Sequence, residues 1–132
     1  MNRKEFLSLC SLLAIVPACR YDKGDTVVRQ VLLEADLNSE LLSIGAYKIN
    51  ATVGLFVRRK TAGNTPRDFD CYWMICTNAK CFVQYREQQE QFTCPCHGSV
   101  FNRHGQPVQG PAAAALEKIT VDISRSQLRV YG

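Results

Sequence analysis

Cysteine and histidine residues are concentrated in two short stretches of this 132-residue chain. Residues 76–81 read Cys-Thr-Asn-Ala-Lys-Cys, and residues 94–99 read Cys-Pro-Cys-His-Gly-Ser. Thiolates and imidazoles bind transition metals, and cysteines also form disulfides where the compartment is oxidising. The residue types and their spacing therefore predict a metal centre, a disulfide framework, or both, built between two loops.

These two stretches are similar to the cluster-binding loops of the Rieske proteins, which hold a [2Fe–2S] cluster with two cysteines on one iron and two histidines on the other. The family's first loop has the pattern C-T-H-x-G-C, and its second loop has the pattern C-P-C-H-G-S. The second loop matches at all six positions, whereas the first has Asn78 in place of histidine and Lys80 in place of glycine. The resemblance extends to Gly110-Pro111-Ala112, which matches the family's proline loop.

The resemblance implies a set of ligands for a [2Fe–2S] cluster. By this match Cys76 and Cys94 are the thiolate ligands, and His97 is an imidazole ligand. Asn78 stands where the family has its other histidine. Imidazole ligands remove negative charge from the cluster and raise its potential above that of an all-cysteine cluster. The implied function is one-electron transfer.

The resemblance also implies residues that support the cluster without binding it. Cys81 and Cys96 match a disulfide that ties the two loops together in members that carry it. Ser99 matches a hydroxyl that donates a hydrogen bond to a cluster sulfide, and Pro111 belongs to the loop that shields the cluster. Phe101 stands where high-potential members have a tyrosine, which implies a lower potential here.

Asn78 leaves three outcomes open, because an amide oxygen is a poor ligand for this site and cannot titrate as imidazole does. In the first outcome the cluster binds to the three remaining ligands plus Asn78, water or another side chain. In the second the cluster is lost and the thiols pair as disulfides. In the third, zinc binds a Cys₃His set of Cys76, Cys81, Cys94 and His97, which excludes the disulfide at Cys81.

Two other residues are possible replacement donors. His104 lies in the turn Asn102–Gly105, where we expect it to be exposed to solvent. Cys71 lies on a predicted strand before the first loop, where we expect a small buried hydrophobic residue. Both are therefore interpreted first as structural residues.

The elements around the loops are predicted to be short strands separated by turn residues, which is typical of an antiparallel β-sandwich or barrel. The run Ala112–Ala115 follows a proline and is predicted to be an extended linker. By resemblance, residues 27–132 form one domain with a small cluster-binding subdomain inserted at about 75–112. The predicted strands are 27–33, 46–50, 52–59, 69–75, 81–85, 91–93, 119–123 and 127–131.

The first 19 residues have the three parts of an export signal: a basic start, an apolar run and small residues before Cys19. Residues 16–19, Val-Pro-Ala-Cys, resemble the lipobox of bacterial lipoproteins, whose cysteine becomes lipidated. Residues 20–26 are predicted to be a polar tether. We therefore expect a lipid-anchored protein of the bacterial cell envelope, on the periplasmic or outer face of a membrane.

Charge and missing motifs reduce the classes of function that the sequence allows. The net charge of +4 is mild and the basic residues are scattered, which argues against nucleic-acid binding. The sequence has no flavin or nicotinamide motif, so we expect an electron-transfer module that serves a redox partner or a membrane electron-transfer chain. The alternative function is that of a cluster-free structural or binding lipoprotein that keeps the fold through disulfides.

Overall fold

The computed structural model describes residues 29–132, which contain ten strands, a 3₁₀ turn at Pro66–Asp68 and no helix able to span a bilayer. The predicted export signal, Cys19 and the tether lie outside the described residues. The expected all-β fold is confirmed. The strands are β1 (Val31–Asp36), β2 (Tyr47–Asn50), β3 (Leu55–Arg59), β4 (Phe69–Trp73), β5 (Gln84–Arg86), β6 (Gln91–Thr93), β7 (Val100–Phe101), β8 (Pro107–Gln109), β9 (Asp122–Ser124) and β10 (Gln127–Tyr131).

The strands form three antiparallel sheets. One sheet has the order β1-β10-β9, the second has the order β2-β3-β4, and the third has the order β5-β6-β7-β8. The first two sheets enclose the base core, which includes Leu33, Leu128 and Val130 from the first sheet. These residues are bulky or β-branched apolar residues, which suit the inner face of a sandwich.

Strand β3 is buried on both of its faces, because the second sheet lies between two cores. Leu55 and Val57 pack into the base core, whereas Phe56 belongs to a second core beneath the cysteine loops. Successive side chains of a strand point to opposite faces, so one five-residue strand supplies both cores. The predicted alternation of Val53, Leu55 and Val57 on one face is confirmed.

Aromatic rings fill the second core and join it to the third sheet. The ring of Phe56 lies 4.8 Å from that of Phe92 and 4.6 Å from that of Tyr85, measured between centroids. Edge-on and tilted aromatic pairs add specific stabilisation to the burial of their area. The second core therefore fixes the β5-β6 hairpin, and with it the second cysteine loop, onto β3.

Several predicted strands differ in their bounds. The predicted strand 52–59 begins only at Leu55, because a turn occupies 51–54 and Gly54 has a φ of +78°. The predicted strand 119–123 is divided: Ile119 donates its N–H to Cys71 O beside β4, and β9 begins at Asp122. Strands β7 and β8 were not predicted, because two or three residues carry no readable periodicity. The stretch Ala112–Ala115 is not helical, as expected.

Candidate metal centre

The two cysteine loops are hairpin tips with the same backbone hydrogen bonds. In the first loop Cys76 N–H donates to Cys81 O at 2.7 Å, and Lys80 N–H donates to Cys76 O at 3.0 Å. In the second, Cys94 N–H donates to Ser99 O at 2.8 Å, and Gly98 N–H donates to Cys94 O at 3.0 Å. Each pattern turns the chain so that its first cysteine enters the second core. The two loops therefore place their first cysteines, Cys76 and Cys94, in the same core.

Cys76 and Cys94 are buried thiols outside any disulfide. Burial raises the pKa of Cys76. Hydrogen bonds from the backbone N–H groups of Ala79 and Asn78, and from the Cys94 and Ser99 side chains, together lower the pKa by more than burial raises it. The net effect is a pKa below the ordinary value for cysteine. Donors gathered around a buried sulfur stabilise the thiolate, which is the form that binds metals.

Cys81 and Cys96 form a disulfide, with Cα atoms 6.5 Å apart, and the disulfide prediction is confirmed. The bond crosses from the first loop to the second. It also makes the Cys₃His zinc set wrong for this structure, because Cys81 has no free thiolate to offer. Within residues 29–132, the one group of three potential ligand atoms within 4.8 Å of one another is Cys81, Cys94 and Cys96, and two of these sulfurs are bonded to each other.

His97 and Asn78 are both exposed, in contrast to the buried thiols. Each follows its buried cysteine, by three residues in the case of His97 and by two in the case of Asn78. The Asn78 side chain makes no hydrogen bond to any residue in the described range, although its backbone N–H faces the Cys76 sulfur. The candidate centre therefore has a buried thiol side and an exposed side with one imidazole and one amide.

Lys80 has a φ of +60°, in the left-handed region that favours glycine. Its counterpart in the second loop is Gly98, which has a φ of +76°. This shared conformation explains why the first-loop pattern has glycine at position 80: the turn requires a left-handed backbone, which glycine adopts without strain. Lys80 therefore keeps the loop geometry at a conformational cost, with its side chain exposed.

The proline segment 110–114 is attached to both loops. Ala112 N–H donates to the Ser99 hydroxyl at 3.1 Å, and the Thr77 hydroxyl donates to Ala114 O at 2.7 Å. Ser99 is fully buried, whereas Pro111 is exposed. Sequence reasoning did not single out Thr77, because its partner lies 37 residues away. The only available signal was its place in the first-loop motif.

Cys71 and His104 occupy structural positions, as expected. Cys71 packs in the base core rather than in the core of the two cysteine loops. Burial, and to a lesser extent the charge of Asp70, raises the pKa of Cys71 to about 12, so this thiol stays protonated. His104 is exposed, and its Nε2 accepts a 3.4 Å hydrogen bond from Arg103.

The residues present fit a [2Fe–2S] cluster at three donor positions. The adjacent buried thiols of Cys76 and Cys94 suit one iron, and the exposed imidazole of His97 suits the other. The loop backbone, the disulfide and the attached proline segment agree with the site that the resemblance implies. Asn78 departs from the expected donor set, because its amide offers only a hard oxygen.

A family profile and a comparison with curated sequences find the same kind of protein. The profile of the Rieske [2Fe-2S] domain matches residues 20–120. The cytochrome b6-f complex iron-sulfur subunit of Microcystis aeruginosa is 45% identical over 108 residues, which are 82% of this chain and 57% of that protein. The chloroplastic counterpart from Fritillaria agrestis is 42% identical over 57 residues, 43% of this chain and 25% of that protein. The chain therefore spans only part of the length of these relatives, 57% of the Microcystis protein and 25% of the Fritillaria protein.

Solved structures share the fold at lower sequence identity. The cyanobacterial plasma membrane Rieske protein PetC3 from Synechocystis PCC 6803 has a TM-score of 0.54 and 22% identity, covering 80% of this chain and all of that one. A chain of a hyperthermophilic respiratory complex III has a TM-score of 0.56 and 19% identity, covering 95% of this chain and 92% of that one. These likenesses agree with the antiparallel β architecture described above.

Proposed function

Since the chain belongs to the Rieske [2Fe–2S] domain family, we propose that it transfers single electrons through a cluster held by Cys76, Cys94 and His97. The observation that carries this proposal is the pair of buried thiols at the tips of two loops that a disulfide joins. A [2Fe–2S] cluster, when bound, supplies a one-electron couple whose potential imidazole ligands raise. The residues of the chain would supply the rest of the function: they would bind the cluster, shield it from water and expose it to a partner.

The chain's own residues divide the work between the two sides of the site. The second core, with Phe92 and Phe101 fully buried in it, excludes water from the side of the thiols. The proline segment covers the second loop through its bond to Ser99. The exposed ring of His97 is the proposed exit for the electron, because it is the imidazole donor that solvent and a partner protein can reach.

The decisive experiment is the iron and acid-labile sulfide content of protein purified without oxygen. About two irons and two sulfides per chain, with a visible absorption spectrum, would support the proposal. Cys71→Ala is the matched control, because it removes a buried thiol from the other core and leaves the iron content unchanged. Cys76→Ala and Cys94→Ala should abolish iron binding.

A second candidate function rests on Asn78. Loss of one ligand lowers metal affinity, and a Rieske fold without its cluster would serve as a binding or structural protein. This candidate predicts no iron in the native chain and restored iron in Asn78→His. The disulfide pairing of these thiols that was expected for a cluster-free chain does not occur, because Cys76 and Cys94 are both free thiols. Alkylation under denaturing conditions should therefore modify both.

The proposed partner is a redox protein or a membrane electron-transfer complex, because the curated relatives are named as subunits of the cytochrome b6-f complex. We assign the membrane contact to a lipid on Cys19, after removal of residues 1–18. Fractionation of cells that express Cys19→Ala tests this anchor. The variant should leave the membrane fraction, and its retention there would contradict lipid anchoring.

A further inference from the structure

An open groove lies between the loop before β2 and the turn of the β5-β6 hairpin. Its volume is about 770 Å³; residues 43–47 form one wall, and Tyr85, Glu87, Gln88 and Glu90 form the other. The turn of the second wall precedes β6, whereas the second cysteine loop follows that strand. The groove therefore lies at the end of β6 away from this loop, and no residue of either cysteine loop lines it.

Apolar side chains beside the groove remain exposed to solvent. Ile44 lines the groove and is 63% exposed, and Leu42 on the same loop is 65% exposed. The half-buried rings of Tyr47 and Tyr85 lie in the walls and meet edge to face, with their centroids 4.7 Å apart. Exposed apolar residues grouped within a polar rim are typical of protein-binding surfaces. Burial of these side chains against a partner would remove apolar area from water.

Two carboxylates border the groove, and only one of them is balanced by cations. Glu90 is paired with Arg58 at 3.3 Å and with Arg103 at 3.3 Å. Glu87 forms no ion pair within the part of the chain that the structure describes. Its charge helps to raise the pKa of Tyr47, for which burial is the first cause. The groove therefore carries an unbalanced negative charge in a chain whose net charge is +4.

The cation next to Glu87 in the sequence does not neutralise it. The guanidinium of Arg86 donates to the Gln84 side chain at 3.1 Å and to the Thr93 hydroxyl at 3.4 Å, and Arg86 does not line the groove. Successive side chains of a strand point to opposite faces, which separates Arg86 from the ring of Tyr85. The Glu87 carboxylate is therefore open to a cation from another molecule.

We infer that this groove docks a segment of a partner protein in which a lysine or arginine stands beside apolar residues. The apolar residues cover Ile44 and Leu42, and the cation pairs with Glu87. Complementary charges direct association and like charges oppose it, so the unbalanced carboxylate selects a cationic segment. The same charge disfavours a membrane as the occupant, because it repels anionic headgroups. The docking site goes beyond the proposed electron transfer, since it uses no residue of the candidate metal centre.

The test is site-specific photo-crosslinking of the full chain in cells of the source organism. Photo-reactive benzoylphenylalanine replaces Ile44 in one variant and Val108 in the control, because Val108 is also an exposed aliphatic residue but lies on β8 outside the groove. The Ile44 variant should give a crosslinked partner protein. Mass spectrometry should locate the link in a segment that carries a lysine or arginine beside apolar residues. The Val108 variant should not give this product.

Substitutions of Glu87 in the crosslinking protein test the role of the charge. Glu87→Gln should lower the yield of the product about two- to fivefold, which is the range of one exposed ion pair, and Glu87→Lys should lower it further. Glu117→Lys is the matched control, because Glu117 is exposed and lies outside the groove, and it should leave the yield unchanged. The fluorescence of Trp73 shows whether each variant is folded.

Several results would overturn the inference. They are the absence of a product from the Ile44 variant, an equal product from the Val108 variant, and a yield that Glu87→Lys leaves unchanged. A product that is a lipid, a second copy of this chain or a segment without a basic residue would overturn it as well. None of these results depends on the iron content of the protein, so the docking site and electron transfer can fail separately.

Discussion

The backbone at Lys80 shows how one residue can depart from a motif while the loop around it persists. Its φ of +60° is close to the +76° of Gly98 in the second loop. The Lys80 N–H donates to Cys76 O, and the Gly98 N–H donates to Cys94 O. A residue with a Cβ is strained in this region, at a cost of about 1–2 kcal/mol. The hydrogen bonds of the loop and the disulfide hold Lys80 in place against that cost.

Lys80→Gly should therefore raise the free energy of unfolding by about 1 kcal/mol, although glycine usually destabilises a folded chain. Lys80→Ala is the matched control, because it removes the ammonium but keeps the strained backbone. Denaturant unfolding of the three proteins measures the difference. If the alanine variant gains as much as the glycine variant, the cause is the charge and not the backbone.

At the scale of elements, the segment 110–114 depends on a close approach of two backbones. Gly110 has a φ of +89°, and a Cβ built on it would lie 2.6 Å from the Cα of Ser99. Gly98 also has a positive φ, but a Cβ there would meet nothing within 4 Å. The two glycines share the conformational requirement and differ in the space around them.

Gly110→Ala should lower the free energy of unfolding by more than Gly98→Ala does. The Gly98 variant pays only the conformational cost of about 1 kcal/mol, whereas the Gly110 variant must also displace the second loop. If the proposed cluster is bound, Gly110→Ala should in addition release its iron faster to a chelator, because Ser99 and Ala112 separate. Equal losses of stability in the two variants would contradict the close approach.

The loop between β3 and β4 is closed by the carboxylate of Asp68. It accepts hydrogen bonds from the hydroxyl of Thr61, from the hydroxyl of Thr65 at 2.6 Å, and from the Thr65 N–H at 2.9 Å. These bonds lower the pKa of Asp68 from 3.8 to about 2, and the bond from Thr61 contributes most to this shift. The folded state therefore binds a proton at this carboxyl less readily than the unfolded state.

Asp68→Asn should lower the melting temperature at neutral pH, and the difference should shrink as the pH falls from about 4 to about 2. The sign follows from the lowered pKa: the stabilisation is complete above the unfolded value and is lost as the folded carboxyl becomes protonated. Melting curves of both proteins across this range measure it. A difference that does not change with pH would show that the carboxylate charge has no part in closing the loop.

How much the sequence can predict depends on the range over which each contact acts. The alternation that includes Leu55 and Val57 is local and was readable, and the disulfide and the candidate ligands followed from the loop motifs. The second face of β3 was not readable, because its Arg58 is a buried cation that sequence patterns assign to the surface. Its partner Glu90, at 3.3 Å, lies 32 residues further along the chain.

For the whole molecule, the sheet β2-β3-β4 is the shared wall of both cores. The base core packs on one of its faces, and the core of the cysteine loops packs on the other. Arg58 adds a polar link, because it leaves this sheet to meet Glu90 near the tip of the β5-β6 hairpin. The candidate metal centre and the base should therefore lose their structure together.

Two spectroscopic probes can test this cooperation, because each reports on one half. Trp73 is the only tryptophan and packs against the base core, so its fluorescence follows the base. If the proposed cluster is bound, its visible absorption follows the cysteine loops. In guanidinium under anaerobic conditions the two transitions should coincide, as a two-state transition requires. Iron loss well before the fluorescence change would show that the loops unfold on their own.

The sulfur of Cys94 lies within 4.8 Å of both sulfurs of the Cys81–Cys96 disulfide, which places a free thiol beside a disulfide. A thiolate at Cys94 can attack either disulfide sulfur, form a new bond to it and release the other cysteine as a thiolate. Such an exchange would consume the Cys94 thiol, which is a proposed ligand, and would break the disulfide that joins the two loops. If the proposed cluster is bound, iron on Cys94 would remove the attacking thiolate, so metal insertion before oxidation of the neighbouring pair would protect both the ligand and the disulfide.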